Sequence, residues 1–124
     1  MPTGANEKNR DKVAMVAFCR IAQRWRLSSV HRATLLGASE EQMLLWHDNP
    51  ENASLSDDQL KRISYTLGIF RGLHIFYGGS SFADSWPTRV DAYFNEHTPL
   101  ERMLSGTDGL LDVRRYVDWA AYGP

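Results

Sequence analysis

The chain has 124 residues, 43% of them apolar and 23% charged, with a formal net charge of −1. That balance excludes a protein that coats nucleic acid by charge alone, and a chain of this size buries enough surface to fold without a disulfide or a metal. A lone cysteine, Cys19, excludes a disulfide framework and a cysteine metal cluster; in a helical apolar setting it reads as a small buried hydrophobe. No apolar run approaches a membrane span, and the polar start MPTGANEKNRDK carries no apolar signal region. A cytoplasmic protein without a membrane partner is the expectation.

Charge is unevenly spread. Residues 1–33 carry seven Lys/Arg against two acids, whereas residues 40–58 carry six acids and no Lys/Arg. In chain order, residues 1–12 read as a flexible tail, polar and broken by Pro2 and Gly4. A helix follows, with Val13, Val16, Ala17, Ile21 and Trp25 recurring at three- and four-residue spacing and Lys12, Arg20, Arg24 and Arg26 making its other side basic. Ser28 and Ser29 can cap a short second helix that Gly37 ends. Ser39 caps a third, with Gln42 placed for a capping box. Residues 13–50 thus read as a helix-turn-helix-like domain, followed by a turn-rich linker, His47 to Leu55.

Ser56 opens a second domain, residues 56–124. S-D-D-Q is a capping box, and Asp57 and Asp58 suit the positive end of the helix that follows. This helix, running to about Tyr77, has two apolar stripes on opposite sides: Leu60, Ile63, Leu67, Phe70 and Tyr77 with His74, and Tyr65, Ile69, Leu73 and Phe76. A helix apolar on both sides must be covered on both. The second stripe, flanked by Gly68 and Gly72 where another backbone can approach, is the expected dimer interface. Gly78-Gly79 stops the helix. A short helix from Ser81 to Trp86 breaks near Pro87, and a connection over Ala92 to His97 leads to T-P-L-E, a capping box with proline at the first helical position. The last helix starts near Thr107 or Asp108 and ends before Gly123-Pro124. The expectation is an all-α fold of about seven helices with no sheet.

Two stretches are specific in their detail: Arg62-Ile63-Ser64-Tyr65-Thr66-Leu67-Gly68-Ile69-Phe70-Arg71-Gly72-Leu73-His74, and Thr98-Pro99-Leu100-Glu101-Arg102-Met103-Leu104-Ser105-Gly106 followed by Gly109-Leu110-Leu111-Asp112-Val113-Arg114-Arg115-Tyr116-Val117-Asp118. Together, and with Trp86 between them, they resemble the toxin-binding domain of the Xre/MbcA/ParS antitoxin family over about Leu55 to Tyr122. Val13 to Trp46 is similar to that family's helix-turn-helix part. One departure is the family's proline-asparagine pair after the tryptophan helix, where this chain reads Trp86-Pro87-Thr88-Arg89. The resemblance implies a homodimeric antitoxin of a type II toxin–antitoxin system. Its partner would be a RES-domain toxin, an NAD-consuming relative of ADP-ribosyltransferases, blocked by occlusion of its active-site cleft near the antitoxin's C-terminal end.

The candidate toxin-binding residues are Arg114, Arg115, Tyr116, Asp118, Trp119 and Tyr122. Arg114 and Arg115 point about 100° apart and cannot serve one site equally; either can instead pair with Asp118. Tyr116 suits core packing, whereas Trp119 and Tyr122, near the end of the helix, suit interface anchors. His31, His47, His74 and His97 are scattered, no nucleophile motif occurs, and Gly78-Gly79-Ser80-Ser81 lacks a phosphate loop's lysine. No catalytic residue, metal or cofactor is expected. The alternative is a helix-turn-helix regulator without a toxin. In that case, or where the antitoxin represses its own operon, operator DNA would meet Arg24, Arg26 and Arg32 through phosphates and Ser39 and Gln42 through bases, although Glu40 and Glu41 on the third helix repel phosphates.

Overall fold

The structure is a computed structural model that describes residues 3–124. It is all-α: seven α-helices and no strand among those residues. The chain divides into two compact units, residues 1–64 and 65–124, and the division falls inside the fourth helix. The boundary lies beyond the expected linker: the first two turns of that helix belong with the N-terminal unit.

In the N-terminal unit, α1 (Thr3–Arg24), α2 (Ser29–Leu36) and α3 (Glu40–Asp48) are followed by a 3-10 turn, Pro50–Asn52. The tail reading is corrected, because helix begins at Thr3; Met1 and Pro2 lie outside the described residues. What fixes this stretch is Asp11. It is buried, accepts the backbone N–H of Leu55 at 3.1 Å, and is met by Arg10 at 3.1 Å. A carboxylate satisfying a linker amide 44 residues away ties α1 to the segment leading into α4.

The apolar register of α1 also differs from the expected one. Met15, Phe18, Ile21, Ala22 and Trp25 form the buried stripe, while Val13 is 60% exposed. Both sets fit a helical repeat, and the longer side chains of Met15 and Phe18 fill the core. The helix ends in a Schellman turn: Leu27 N–H donates to the Ala22 carbonyl and Arg26 N–H to that of Gln23, each at 3.0 Å. Arg26 holds the left-handed position of this turn, at φ 57°. The end of α2 repeats the motif with Gly37 at φ 77°. Ser28 and Ser39 cap α2 and α3 as expected, accepting from His31 N–H and Gln42 N–H.

α4 (Asp57–Phe76) opens with the expected reciprocal box, Gln59 N–H to Ser56 Oγ at 3.1 Å and Ser56 N–H to Gln59 Oε1 at 3.0 Å. In the C-terminal unit α5 (Ser81–Ser85) runs into a 3-10 turn at Trp86–Thr88, and a second such turn, Ala92–Phe94, precedes α6 (Pro99–Met103) and α7 (Thr107–Tyr122). The Thr98–Glu101 capping box is complete. The core of this unit is Ile69, Leu73, Ala83, Trp86, Leu100, Met103, Leu110, Val113 and Val117.

Close backbone approach explains the glycines of the C-terminal motifs. A Cβ at Gly72 would lie 2.5 Å from Val117 Cγ1, one at Gly68 would overlap the Arg114 guanidinium, and one at Gly109 would overlap the backbone carbonyl of Arg102. α7 therefore lies against the Gly68–Gly72 face of α4, and α6 against the start of α7.

This packing corrects the expected dimer interface. Ile69 and Leu73 are 0% and 2% exposed within the single chain, and Tyr65 is half-buried; of that stripe only Phe76, at 54%, reaches the surface. The close approach that the glycines permit is made by the chain's own α7, not by a second subunit.

Candidate functional site

α7 sorts its residues by face. Leu110, Val113 and Val117 point into the core. Arg114 leans over Gly68 of α4 and clamps Asp118 one turn on, Nε lying 3.0 Å and 3.2 Å from the two carboxylate oxygens. Tyr116 joins an aromatic cluster: its ring is parallel to Trp86 at 6.0 Å, 4.3 Å from Tyr93 and 5.5 Å from Phe94. Burial, then the nearby charge of Asp91, pushes the Tyr116 phenol above its ordinary pKa. Arg114, Tyr116 and Asp118 are therefore engaged within the unit, where they position the helix while staying part-exposed.

The remaining three share one outward face. Arg115, Trp119 and Tyr122 follow at spacings of four and three, so they stack along one side of the helix, and all three are exposed. Trp119 is 61% and Tyr122 59% exposed, in contrast to the usual burial of large aromatics. Asp112, which sequence reasoning passed over, extends the stripe by one turn; its i−3 spacing from Arg115 was the available signal. It is held by an ion pair with Arg102, which also donates to Ser105 Oγ at 2.8 Å.

A surface cavity lies on each flank of the stripe. Trp119, Phe76, Leu73, Tyr77 and the Gly123-Pro124 end border an apolar groove of about 290 Å³. Arg115, His97, Arg102, Ser105 and Tyr93 border a more polar one of about 600 Å³. Arg115 thus faces a polar depression and Trp119 an apolar one, the mix that interface anchors use: an aromatic body for burial and a guanidinium for carboxylate or carbonyl groups. Phe76 and Ile75, half exposed at the end of α4, add to the apolar side.

His74 is set against Asp84, Nε2 to Oδ1 at 2.8 Å, with both side chains largely buried. It is the hydrogen-bonded core histidine that its stripe suggests. Arg89 lies over the Phe82 ring, 3.6 Å from its centroid, and donates to the Phe82 carbonyl at 3.2 Å. Together these contacts tie α5 and the loop after it to the end of α4. Among the described residues no group of three His, Cys, Asp or Glu is placed to hold a metal ion, and no helix is long and apolar enough to cross a membrane.

Arg32 Nε donates to the Leu27 carbonyl at 3.0 Å and braces the α1–α2 turn. Ser39 Oγ is the acceptor that caps α3. Each thus has a structural role, with Ser39 exposed and Arg32 half-buried. Arg24, Arg26 and Gln42 are exposed. α2, the turn Gly37–Ser39 and α3 have the connection length of a helix-turn-helix. The exposed side of α3, however, presents Glu40, Glu41, Leu44, Leu45 and Asp48, with Leu44 63% and Leu45 53% exposed. Cys19 is half-buried, and desolvation raises its thiol pKa against the opposing charge of Arg32.

No family model matches the chain. It is similar to an uncharacterized protein, y4oB, of Sinorhizobium fredii strain NBRC 101917 / NGR234, at 31% identity over 116 residues that cover 92% of this chain and 88% of that protein.

Proposed function

The chain belongs to the family that includes y4oB, and we propose that it is a cytoplasmic, non-enzymatic antitoxin whose α7 docks on a RES-type, NAD-consuming toxin and occludes its cleft. The observation that carries this reading is the exposed Arg115–Trp119–Tyr122 stripe. The spaced motifs that resemble the Xre/MbcA/ParS toxin-binding domain end on that helix. Their glycines and Arg114 build a rigid support, which leaves α7 preorganised; a partner then spends little of its binding energy on ordering it. Arg115 would meet acceptors at the rim, while Trp119 and Tyr122 would fill apolar recesses.

Repression of the operon is a second reading, favoured by the α2–turn–α3 connection. The acids on α3 disfavour base reading by that helix, so phosphate contacts would fall to exposed arginines such as Arg24 and Arg26. A free-standing regulator without a toxin is the alternative to the whole proposal.

The test is co-expression with the product of the adjacent reading frame. Growth arrest by the neighbour, relief by this chain, co-purification of the two, and loss of relief in an Arg115→Ala/Trp119→Ala/Tyr122→Ala variant with unchanged helicity are the expected results. Full relief by that folded triple variant overturns the assignment to α7. A neighbour that never arrests growth overturns the toxin.

A further inference from the structure

We infer that the chain self-associates through its N-terminal unit, the α3 face of one copy docking on the α1 face of another. The two faces are complementary in charge and similar in length. On α3, Glu41, Leu44, Leu45 and Asp48 fall at i, i+3, i+4 and i+7, a single exposed side with two leucines between two acids. On α1, Lys12, Val13, Val16 and Arg20 form the side opposite the buried stripe, with two valines between two basic residues. Each set spans about 10–12 Å of helix.

Leu44 is 63%, Leu45 53% and Val13 60% exposed. Glu41, Lys12 and Arg20 are exposed as well, and Asp48 has only the adjacent His47 ring beside it, at 3.1 Å. Both faces belong to one unit, and although Val16 is half-buried, the charged residues of both faces and Val13, Leu44 and Leu45 stay exposed within it, so the faces do not satisfy each other in a single chain. A second copy supplies the missing complement. A two-fold arrangement makes the contact twice, α3 on α1 and α1 on α3, as a self-complementary interface requires.

The same chemistry separates this surface from a DNA site. Phosphates are repelled by Glu40, Glu41 and Asp48, whereas a lysine- and arginine-flanked helix is attracted. It also moves self-association away from Tyr65, Ile69, Leu73 and Phe76, two of which the chain itself buries. The inference needs no toxin and stands or falls separately from the proposed function.

Analytical ultracentrifugation of the full chain provides the test. The wild type is expected to dimerise, with the dimer weakening as salt rises. Glu41→Lys/Asp48→Lys, and separately Lys12→Glu/Arg20→Glu, each place like charges at both contacts and should weaken association by about tenfold or more. Mixing the two variants pairs reversed α3 with reversed α1, and unaltered α3 with unaltered α1, so a heterodimer should return. Recovery on mixing distinguishes docking from misfolding, because a misfolded variant is not rescued by its counterpart. A wild type that stays monomeric overturns the inference, as do reversals that leave the dimer intact or a mixture that fails to restore it.

Discussion

α3, of nine residues, and α7, of sixteen, both leave large apolar side chains in water, yet they do so with different chemistry. α3 shows Leu44 and Leu45 between acids; α7 shows Trp119 and Tyr122 in line with Arg115. Aliphatic pairs bracketed by charge give a modest, salt-sensitive contact whose register is set by the flanking ions. An aromatic pair beside a guanidinium gives concentrated anchors that gain most when fully desolvated. The supports differ too. α7 is pinned by glycines, an Arg114–Asp118 clamp and an aromatic cluster, whereas α3 rests on its serine cap, Met43 and Trp46. The helix with the aromatic side chains outward is also the one with more contacts to its own unit, which suits the proposed docking role.

The hardest way to break this contrast is at Gly109. A methyl there meets the Arg102 backbone carbonyl, which no rotamer change can move. Gly109→Ala should cost about 3 kcal/mol or more, lower the melting temperature sharply and remove toxin binding, while self-association through α1 and α3 survives. Equal loss of both activities would show that the two helices are not independently supported. Next comes Trp119→Ala, a truncation at an exposed site. Stability should stay within about 0.5 kcal/mol, while affinity for the toxin should fall about 30-fold, the equivalent of about 2 kcal/mol. Calorimetric titration beside a thermal melt separates the two quantities.

Asp11→Ala attacks the other side of the comparison. It strands the buried Leu55 N–H and should destabilise the protein by about 1–3 kcal/mol, loosening the unit that presents α3 while α7 keeps its affinity. Urea melts with hydrogen exchange at Leu55 would show this; an unchanged Leu55 exchange rate would contradict it.

Local signals were legible in the sequence: the serine and threonine caps, two of the three expected capping boxes (at Ser39 only the serine's half is made), the glycine stop after α2 and the all-helical class each depend on residues within a turn of one another. Asp11 was not, because its acceptor role depends on an amide far along the chain. The buried stripe of α1 was ambiguous, since Val13-Val16 and Met15-Phe18 fit the same period. On α4 the need for cover was readable from two apolar stripes, but not the identity of the cover, which is set by how α7 packs on Gly68 and Gly72. The candidate site was half legible. The 100° divergence of Arg114 and Arg115, the Arg114–Asp118 pair and the inward turn of Tyr116 follow from spacing, while the approach of Arg114 to Gly68 and the aromatic partners of Tyr116 depend on tertiary neighbours.

The smallest effect sits at Arg26, in the turn that leads from α1 to α2. Its left-handed conformation costs a non-glycine residue about 1–2 kcal/mol, and the same turn after α2 uses Gly37. Glycine removes that strain but frees the unfolded chain, so Arg26→Gly should raise stability by only about 0.5–1 kcal/mol, read as a small rise in the urea midpoint. The substitution also deletes an exposed cation, which gives it a second use. If Arg26 contacts operator phosphate, the stabilised variant should bind DNA more weakly and with a shallower salt dependence. A gain in stability with unchanged DNA affinity would mean that the arginine serves neither the turn nor the phosphates. A loss of stability would mean that its side chain contributes more to the α1–α2 turn than the left-handed backbone costs.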